Sequence, residues 1–258
     1  MQDELVDELD RWADEGRTLD VWWRDDDAIG PSSALGQLTQ AAVRRAIPLA
    51  LAVIPDAMLP KLPEALDDPQ LTVLQHGFAH RNHAAEGARA VECGGVLALD
   101  ALLNQLAAGR QRLQACFGAR FVPVLVPPWN RIEPSVIAPL PGLGFRGVSV
   151  FGPRAAPEAA LGLAEINAHL DLLTWKGGAR FAGREKLLRL AAERIADRRL
   201  GRTDKDEPFG LLTHHLDHDA ETWEFLSELL DMLAAHGAVR FRSAAALFAA
   251  PAAGAASR

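Results

Sequence analysis

An apolar run passes directly into charged residues in Leu19-Asp20-Val21-Trp22-Trp23-Arg24-Asp25-Asp26-Asp27. The first half predicts a buried strand, because its apolar residues do not alternate with polar ones as they do in a half-exposed strand. Three adjacent carboxylates at a strand end repel one another, so another group has to compensate their charge. A solvated turn is the ordinary fate of such residues in isolation. The stretch therefore predicts a buried strand that ends either in a polar turn or in a functional site.

Similar apolar runs recur along the chain, with amphipathic segments between several of them. The predicted strands are Leu19–Trp23, Leu49–Ile54, Leu71–Gln75, Phe121–Val126, Phe145–Val150, Leu163–Ile166, Phe209–Thr213 and Val239–Phe241. Strands that alternate with helices over this length indicate an α/β fold, either a closed barrel or a doubly wound sheet. No glycine-rich nucleotide fingerprint follows the first strand, which removes the main support for the doubly wound alternative. We therefore expect a distorted (β/α) barrel of about seven or eight strands.

Three amphipathic segments predict helices, each followed by a glycine that can serve as a C-cap at positive φ. They are Val96–Phe117 before Gly118, Glu185–Leu200 before Gly201, and Ala220–His236 before Gly237. Asp219 is the predicted N-cap of the last of them. We see no linker between these elements, so residues 1–250 are expected to form one barrel domain, followed by a low-complexity tail at 251–258.

Composition and charge exclude several classes of partner. The chain of 258 residues has 34 acidic and 27 basic side chains, a net charge of −7, which argues against a nucleic-acid partner. No apolar run approaches the ~18 residues that a membrane span needs. The acidic N-terminus lacks the apolar core of a signal peptide, so we expect a cytoplasmic location. Cys93 and Cys116 are too few for a disulfide framework.

Histidines follow two of the other predicted strands. Leu71–Gln75 leads into His76-Gly77-Phe78-Ala79-His80, and Phe209–Thr213 leads into His214-His215. Two histidines four residues apart can bind one metal ion through their imidazole nitrogens, although structural or surface histidines share this spacing. Gly77 excludes the helical zinc-protease pattern, which has glutamate there. Because the carboxyl ends of barrel strands share one face, these groups and the aspartate run predict a common metal site.

Taken in order, these motifs resemble those of the polysaccharide deacetylases of the chitin-deacetylase and NodB type, carbohydrate esterase family 4. That family has an Asp-Asp pair, then His-[Ser/Thr]-x-x-His, Arg-x-Pro-aromatic, Asp-x-x-Asp-Trp and Leu-x-His. The matching stretches are Asp25-Asp26-Asp27, His76-Gly77-Phe78-Ala79-His80, Pro127-Pro128-Trp129, Asp171-Leu172-Leu173-Thr174-Trp175 and Leu212-Thr213-His214. Each motif is weak, but the ordered set is specific.

The resemblance implies a metal-dependent hydrolase that removes an acetyl or other acyl group from an N-acylated sugar. Its cofactor would be Zn²⁺ or another divalent transition metal, and its partner a saccharide or amino-sugar substrate, with the oligomeric state unspecified. The implied roles are metal ligand for Asp27, His76 and His80, general base for Asp26, general acid for His214, orientation of His214 for Asp171, and substrate binding for Pro128, Trp129 and Trp175.

The sequence departs from the family pattern at three positions. Gly77 replaces Ser or Thr, Thr174 replaces the second Asp of the fourth motif, and Val126 stands where the third motif has Arg. That arginine holds the catalytic aspartate in the family. Arg24 and Arg131 are the two candidates to supply its charge here.

Several alternatives remain open from the sequence. The base and ligand pair could be shifted by one residue, to Asp25 and Asp26. His215 and His218 are rival general acids, and His83 could also line the site. Trp129 and Trp175 could be ordinary core aromatics. At the level of function, the alternatives are a carbohydrate-binding or scaffolding homologue that has lost turnover, supported by the missing arginine, and a metallo-hydrolase of non-sugar amides.

Overall fold

The computed structural model describes residues 2–249, so the predicted tail at 251–258 lies outside them. The strands are β1 (Leu19–Ala28), β2 (Leu49–Val53), β3 (Leu71–His76), β4 (Phe121–Val126), β5 (Gly147–Val148), β6 (Glu158–Ala160), β7 (Leu163–Glu165), β8 (Leu170–Asp171), β9 (Leu173–Thr174), β10 (Arg180–Phe181), β11 (Phe209–Thr213) and β12 (Val239–Phe241). The α-helices are α1 (Gln2–Asp14), α2 (Ser33–Arg44), α3 (Leu62–Ala65), α4 (Leu99–Phe117), α5 (Pro134–Ile137), α6 (Arg184–Arg199), α7 (Ala220–Ala235) and α8 (Ala244–Leu247).

Parallel pairing joins the main strands into a ring. The strands β1, β2, β3, β4 and β5 pair in succession, and β11 pairs with β1. The segment 163–171 completes the ring, because β7 pairs with β5 and β8 pairs with β11. A bridge between Phe151 and Ala168 continues the contact between the two halves. The predicted distorted α/β barrel is confirmed.

Side chains of alternate parity fill the two sides of the barrel wall. On β1, Trp22 lies in an interior cluster, whereas Val21 and Trp23 belong to the core between wall and helices. Small residues make room for Trp22: a Cβ on Gly210 would lie 2.7 Å from its indole nitrogen, which donates to the Asn167 carbonyl. The same pleat carries on to the carboxyl end of the strand, where the charged residues begin.

Most predicted elements occur, with shifted ends. The strand predicted at 145–150 narrows to β5, and the first predicted helix begins at Leu99 rather than Val96. Helix α2 was missed, although Ser32 caps it by accepting the Leu35 N–H at 3.0 Å. Gly118 and Gly201 have positive φ as expected, and the side chain of Asp219 caps α7.

One of the predicted glycine caps is wrong. Helix α7 ends at a His236 cap with extended backbone, and Gly237 does not adopt positive φ. The helix is closed instead by the His236 N–H, which donates to the Leu233 carbonyl. Both cysteines are free. Within residues 2–249, no helix has the length and apolar character that crossing a membrane requires.

The packing of α8 against the barrel interior generates a prediction about stability. Phe248 follows α8, is 2% exposed and packs edge-on against Trp22, with ring centroids 6.0 Å apart. We expect Phe248→Ala to lower the free energy of unfolding by about 3–5 kcal/mol, because the barrel wall cannot collapse into the cavity left behind. Urea denaturation measures the change. The control Leu161→Ala, at a side chain 93% exposed, should shift it by less than about 0.5 kcal/mol. Equal losses in both variants would contradict this account of the core.

Candidate metal centre

The carboxyl ends of the barrel strands surround a cavity of about 510 Å³. Eight of the nine sequence-predicted site residues line it: Asp26, Asp27, His76, His80, Trp129, Asp171, Trp175 and His214. Pro128 is the exception. It is buried and packs beneath Gly77, where a Cβ would lie 2.7 Å from the proline Cδ, so it lies behind the cavity wall.

Asp27, His76 and His80 bring three ligand atoms together at the base of the cavity. The Asp27 Oδ1 atom lies 3.1 Å from His76 Nε2 and 3.4 Å from His80 Nε2. His76 Nδ1 lies 3.0 Å from the Val126 carbonyl, which accepts its proton and leaves Nε2 as the ligand atom. A carboxylate and two imidazoles within 4.8 Å of one another match the donor set of catalytic zinc sites. The residues therefore fit a divalent cation.

The protonation states of these groups depend on one another. Burial opposes the negative charge of Asp27, but its hydrogen bond with His76 holds its pKa well below the ordinary value. Burial and the neighbouring His76 both lower the pKa of His80. Burial lowers the pKa of His76, but its hydrogen bond with Asp27 and the charge of Asp26 outweigh burial, so this pKa is raised. Carboxylate and neutral imidazole are the forms that ligate a metal, so binding of a cation displaces the His76 proton.

Left-handed backbone is concentrated at this site. The residues Asp27, His80, Trp129 and Asn130 all have φ between 53° and 70°, and only Ala46 shares this feature among the other described non-glycine residues. Such conformations are costly and persist where surrounding structure imposes them. Here they aim two ligand side chains and an aromatic ring into the cavity.

A buried arginine holds the carboxylate of Asp26. Arg24 precedes it by two residues on β1 and points to the same side, with Nε 2.9 Å from Oδ1 and Nη2 3.1 Å from Oδ2. The guanidinium also donates to Asn130 Oδ1 at 2.6 Å and to Ser149 Oγ at 2.7 Å. Arg131 instead donates to the Ala90 carbonyl. Of the two candidates, Arg24 is therefore the one that supplies the charge absent at Val126.

Asp25 faces the opposite side of the barrel wall. Its carboxylate accepts hydrogen bonds from Thr213 Oγ1 at 2.7 Å and from the His215 N–H at 3.1 Å, and it pairs with the His215 ring. Neither Asp25 nor His215 lines the cavity. The geometry therefore favours Asp26 and Asp27 over the shifted pair.

His214 faces the cavity between two carboxylates. Its Nε2 lies 4.0 Å from Asp26 Oδ2 and its Nδ1 lies 3.7 Å from Asp171 Oδ1. Burial disfavours the imidazolium, but the interaction with Asp171 and the charges of Asp26 and Asp27 outweigh it and raise the pKa of His214 to about 9. The rival His218 packs against Trp223, and burial lowers its pKa to about 4.

Aromatic side chains flank the ligand cluster on two sides. Trp175 is 48% exposed, donates from its indole nitrogen to Asp171 Oδ2 at 2.8 Å and meets the His214 ring edge-on. Trp129 lies against His80, with ring centroids 4.5 Å apart. Both rings line the cavity, so neither is an ordinary core aromatic.

The structure adds residues that sequence reasoning missed. Asn130 orients Arg24, and Phe151, Lys186 and Arg194 extend the cavity wall. No sequence signal marked them, because none of the four belongs to one of the motifs. His83 does not line the cavity, and its ring contacts the backbone of Glu92.

No protein-family model and no curated protein matches the sequence, whereas solved structures match it over most of its length. A family 4 acetyl xylan esterase from Clostridium thermocellum, in complex with a cobalt ion, has a TM-score of 0.56 at 12% identity and covers 89% of this chain and 90% of that chain. A peptidoglycan N-acetylglucosamine deacetylase has a TM-score of 0.55 at 12% identity and covers 92% and 95%. A mutant of a family 4 pseudoenzyme has a TM-score of 0.57 at 14% identity and covers 90% and 67%. The chain has the fold of carbohydrate esterase family 4, as the resemblance implied.

The ligand geometry predicts the effect of removing one imidazole. We expect His80→Ala to lose stoichiometric binding of a divalent ion, because the two ligands that remain cannot replace a donor from the loop after β3. Metal content after dialysis against limiting Zn²⁺, measured by mass spectrometry, tests this. His236→Ala is the control, since His236 lies away from the cavity beside Asp10. Full occupancy in His80→Ala would rule out this set of ligands.

Proposed function

We propose that this protein is a metal-dependent hydrolase that removes an acetyl or related acyl group from an N-acylated amino sugar. One observation carries the proposal. The cluster of Asp27, His76 and His80 shares a cavity with a carboxylate fixed by Arg24 and with His214. A ligand set with a base and an acid beside it is what amide hydrolysis requires.

Asp27, His76 and His80 would hold the cation. When bound, the cation would act as a Lewis acid on the acyl carbonyl and lower the pKa of a bound water molecule. Asp26 is the general base that accepts a proton from the attacking water. Arg24 contacts both carboxylate oxygens and so fixes their orientation. A positioned base of this kind contributes at least about 10²-fold to the rate.

His214 is the general acid that protonates the departing amine. An amine anion is too poor a leaving group to depart unaided, so a proton has to be delivered as the C–N bond breaks. Asp171 favours the imidazolium form and is itself fixed by the Leu173 N–H and by Trp175. Trp129 and Trp175 offer aromatic faces on which a sugar ring can pack. Residues 1–250 then act as one catalytic unit.

The alternative of a homologue without turnover is supported by the missing motif arginine and by the shared fold of a family 4 pseudoenzyme. Arg24 pairs with Asp26, as the motif arginine does with the catalytic aspartate in the family, and this pairing weakens the alternative. An amide substrate other than a sugar would use the same base and acid. The substrate panel therefore has to separate these cases.

Acetate release tests the proposal directly. N-acetylated chito-oligosaccharides, O-acetylated xylan and a simple aryl acetamide serve as substrates, with Zn²⁺- or Co²⁺-loaded protein and a chelated control. We expect release from the N-acetylated saccharides, loss on chelation and recovery on adding metal back. Turnover of the aryl acetamide alone would favour the non-sugar hydrolase, and metal binding without turnover of any substrate would favour the non-catalytic homologue.

The two neighbouring aspartates give a sharp comparison. Asp26→Asn should keep the metal and lose at least about 10²-fold in kcat, because an amide cannot accept the proton. Asp25→Asn should retain turnover per metal-loaded molecule, since Asp25 faces Thr213 and His215 outside the cavity. Activity normalised to bound metal is the measurement. An inactive Asp25→Asn beside an active Asp26→Asn would move the catalytic pair by one residue.

The dependence of the rate on pH distinguishes His214 from His215 as the general acid. A general acid acts as the imidazolium, which is present below its pKa and lost above it. With the pKa of His214 raised to about 9, the wild-type rate should fall as the pH rises past that value. His214→Ala should lose this falling limb at unchanged metal content, while His215→Ala should keep it. Loss of the limb only in His215→Ala would transfer the role to that residue.

A further inference from the structure

A buried glutamate outside the proposed catalytic set holds the turn between the two histidine ligands. Glu92 is 0% exposed. Its Oε2 accepts the Phe78 N–H at 3.0 Å, and its Oε1 accepts those of Ala79 at 2.8 Å and Arg81 at 3.2 Å. Hydrogen bonds from N–H groups compensate the cost of burying a carboxylate. The three donors lie on both sides of His80, so the carboxylate ties down the residues that carry this ligand.

The turn needs such a constraint because of its backbone. Gly77 and His80 both have φ of 53°, and histidine adopts this conformation only at a cost. The side-chain direction of His80 follows from that backbone, which brings its Nε2 to 3.4 Å from Asp27 Oδ1. Releasing the N–H groups around it would let the turn relax and carry the imidazole away from the other ligands.

Gly77 leaves the space that Glu92 occupies. A Cβ at this position would overlap the Glu92 Oε2 atom and would also lie 2.7 Å from Pro128 Cδ. A serine or threonine side chain at 77 and the buried carboxylate therefore exclude each other. Glycine at position 77, where the related motif has Ser or Thr, and the buried carboxylate of Glu92 therefore occur together for one steric reason.

The backbone of Glu92 is itself anchored, although it lies in a segment without helix or strand. Its carbonyl accepts the Gly94 N–H at 2.9 Å and lies 2.9 Å from His83 Nδ1. The next residue, Cys93, is fully buried and forms a bridge with Ile132. The carboxylate is thus held from a fixed loop.

We propose that Glu92 is a positioning residue of the metal centre, which preorganises His80 through the N–H groups of the turn and requires glycine at position 77. The inference rests on the ligand set of the proposed function but needs no turnover. Residues that orient metal ligands typically change affinity by about 10–100-fold when they are substituted.

The first test compares metal affinity in variants that remain folded. Glu92→Gln keeps the shape of the side chain but turns an NH₂ group towards backbone donors. We expect affinity for Zn²⁺ or Co²⁺, measured by competition with a chromophoric chelator, to fall about 10–100-fold. Glu133→Gln is the matched control, because Glu133 accepts the Gly95 N–H at 2.8 Å in the same region and should leave affinity unchanged. Wild-type affinity in Glu92→Gln would overturn the proposal.

The second test uses the mutual exclusion, and it also serves if Glu92→Gln fails to fold. Gly77→Ser should weaken metal binding, because its side chain displaces the carboxylate. The double variant Gly77→Ser/Glu92→Ala should bind metal more tightly than Gly77→Ser alone, since the serine no longer collides with the Glu92 carboxylate, while its close approach to Pro128 is the same in both variants. The single variant Glu92→Ala completes the comparison. If the fold-loss of metal affinity in the double variant equals the product of the fold-losses in Gly77→Ser and Glu92→Ala, the two positions act independently and the proposal is overturned.

The third test separates this proposal from the proposed function. In metal-free protein, amide hydrogen exchange at Phe78, Ala79 and Arg81 should be about 10-fold faster or more in Glu92→Gln than in wild type, while exchange in the barrel strands stays unchanged. Unchanged exchange at these amides would contradict the role of Glu92. A wild-type protein that binds no divalent ion would contradict the proposed hydrolase instead.

Discussion

The alternation of side chains across the barrel wall is the constraint on which the site depends. Successive residues of a strand point to opposite faces, so two neighbouring charged residues at a strand end cannot both face one cavity while the chain stays extended. On β1 this sends Arg24 and Asp26 inward and Asp25 outward, and after β11 it sends His214 inward and His215 outward. The outward residues Asp25 and His215 pair with each other behind the wall. The inward carboxylate of Asp26 pairs with Arg24. Each carboxylate is therefore compensated by a partner on its own side of the wall.

Charge compensation inside the wall is local to one strand. Arg24 and Asp26 are both almost completely buried, and isolating either one would leave an unpaired charge at a cost of about 3–5 kcal/mol. The pair is supported further by Asn130 and Ser149, which occupy donors of the guanidinium that the carboxylate does not use. The charge that the related motif places at the end of β4, at the position of Val126, is supplied here by Arg24 on β1. The position of a charge in space, rather than its place in the sequence, is what the carboxylate requires.

The ligand cluster combines a regular strand end at His76 with left-handed backbone at Asp27 and His80. His76 belongs to β3 and its ring is fixed by the Val126 carbonyl on the neighbouring strand. Asp27 and His80 adopt left-handed backbone and depend on surrounding contacts to hold it. This division explains why the buried Glu92 lies beside His80, where the backbone by itself would not supply the required direction.

The sequence by itself determined the fold class and most of the candidate site. Apolar runs without alternation marked the barrel strands, and the ionisable residues at their ends marked the face where the cavity forms. These signals depend on residues that are adjacent in the chain, so the sequence contains them directly. Strand β7 was predicted as Leu163–Ile166, but the two-residue strand β8 gave no such signal, because it exists only through its pairing with β11.

Only the tertiary structure decided which of several residues of the same type belong to the site. It chose Arg24 over Arg131 as the partner of Asp26, separated Asp25 from Asp26, and placed Pro128 behind the cavity wall. It also brought in Glu92, whose only trace in the sequence was a glycine in place of Ser or Thr. Such choices depend on contacts between residues that are distant in the chain. The order of residues along one strand does not specify the distances between atoms on different strands.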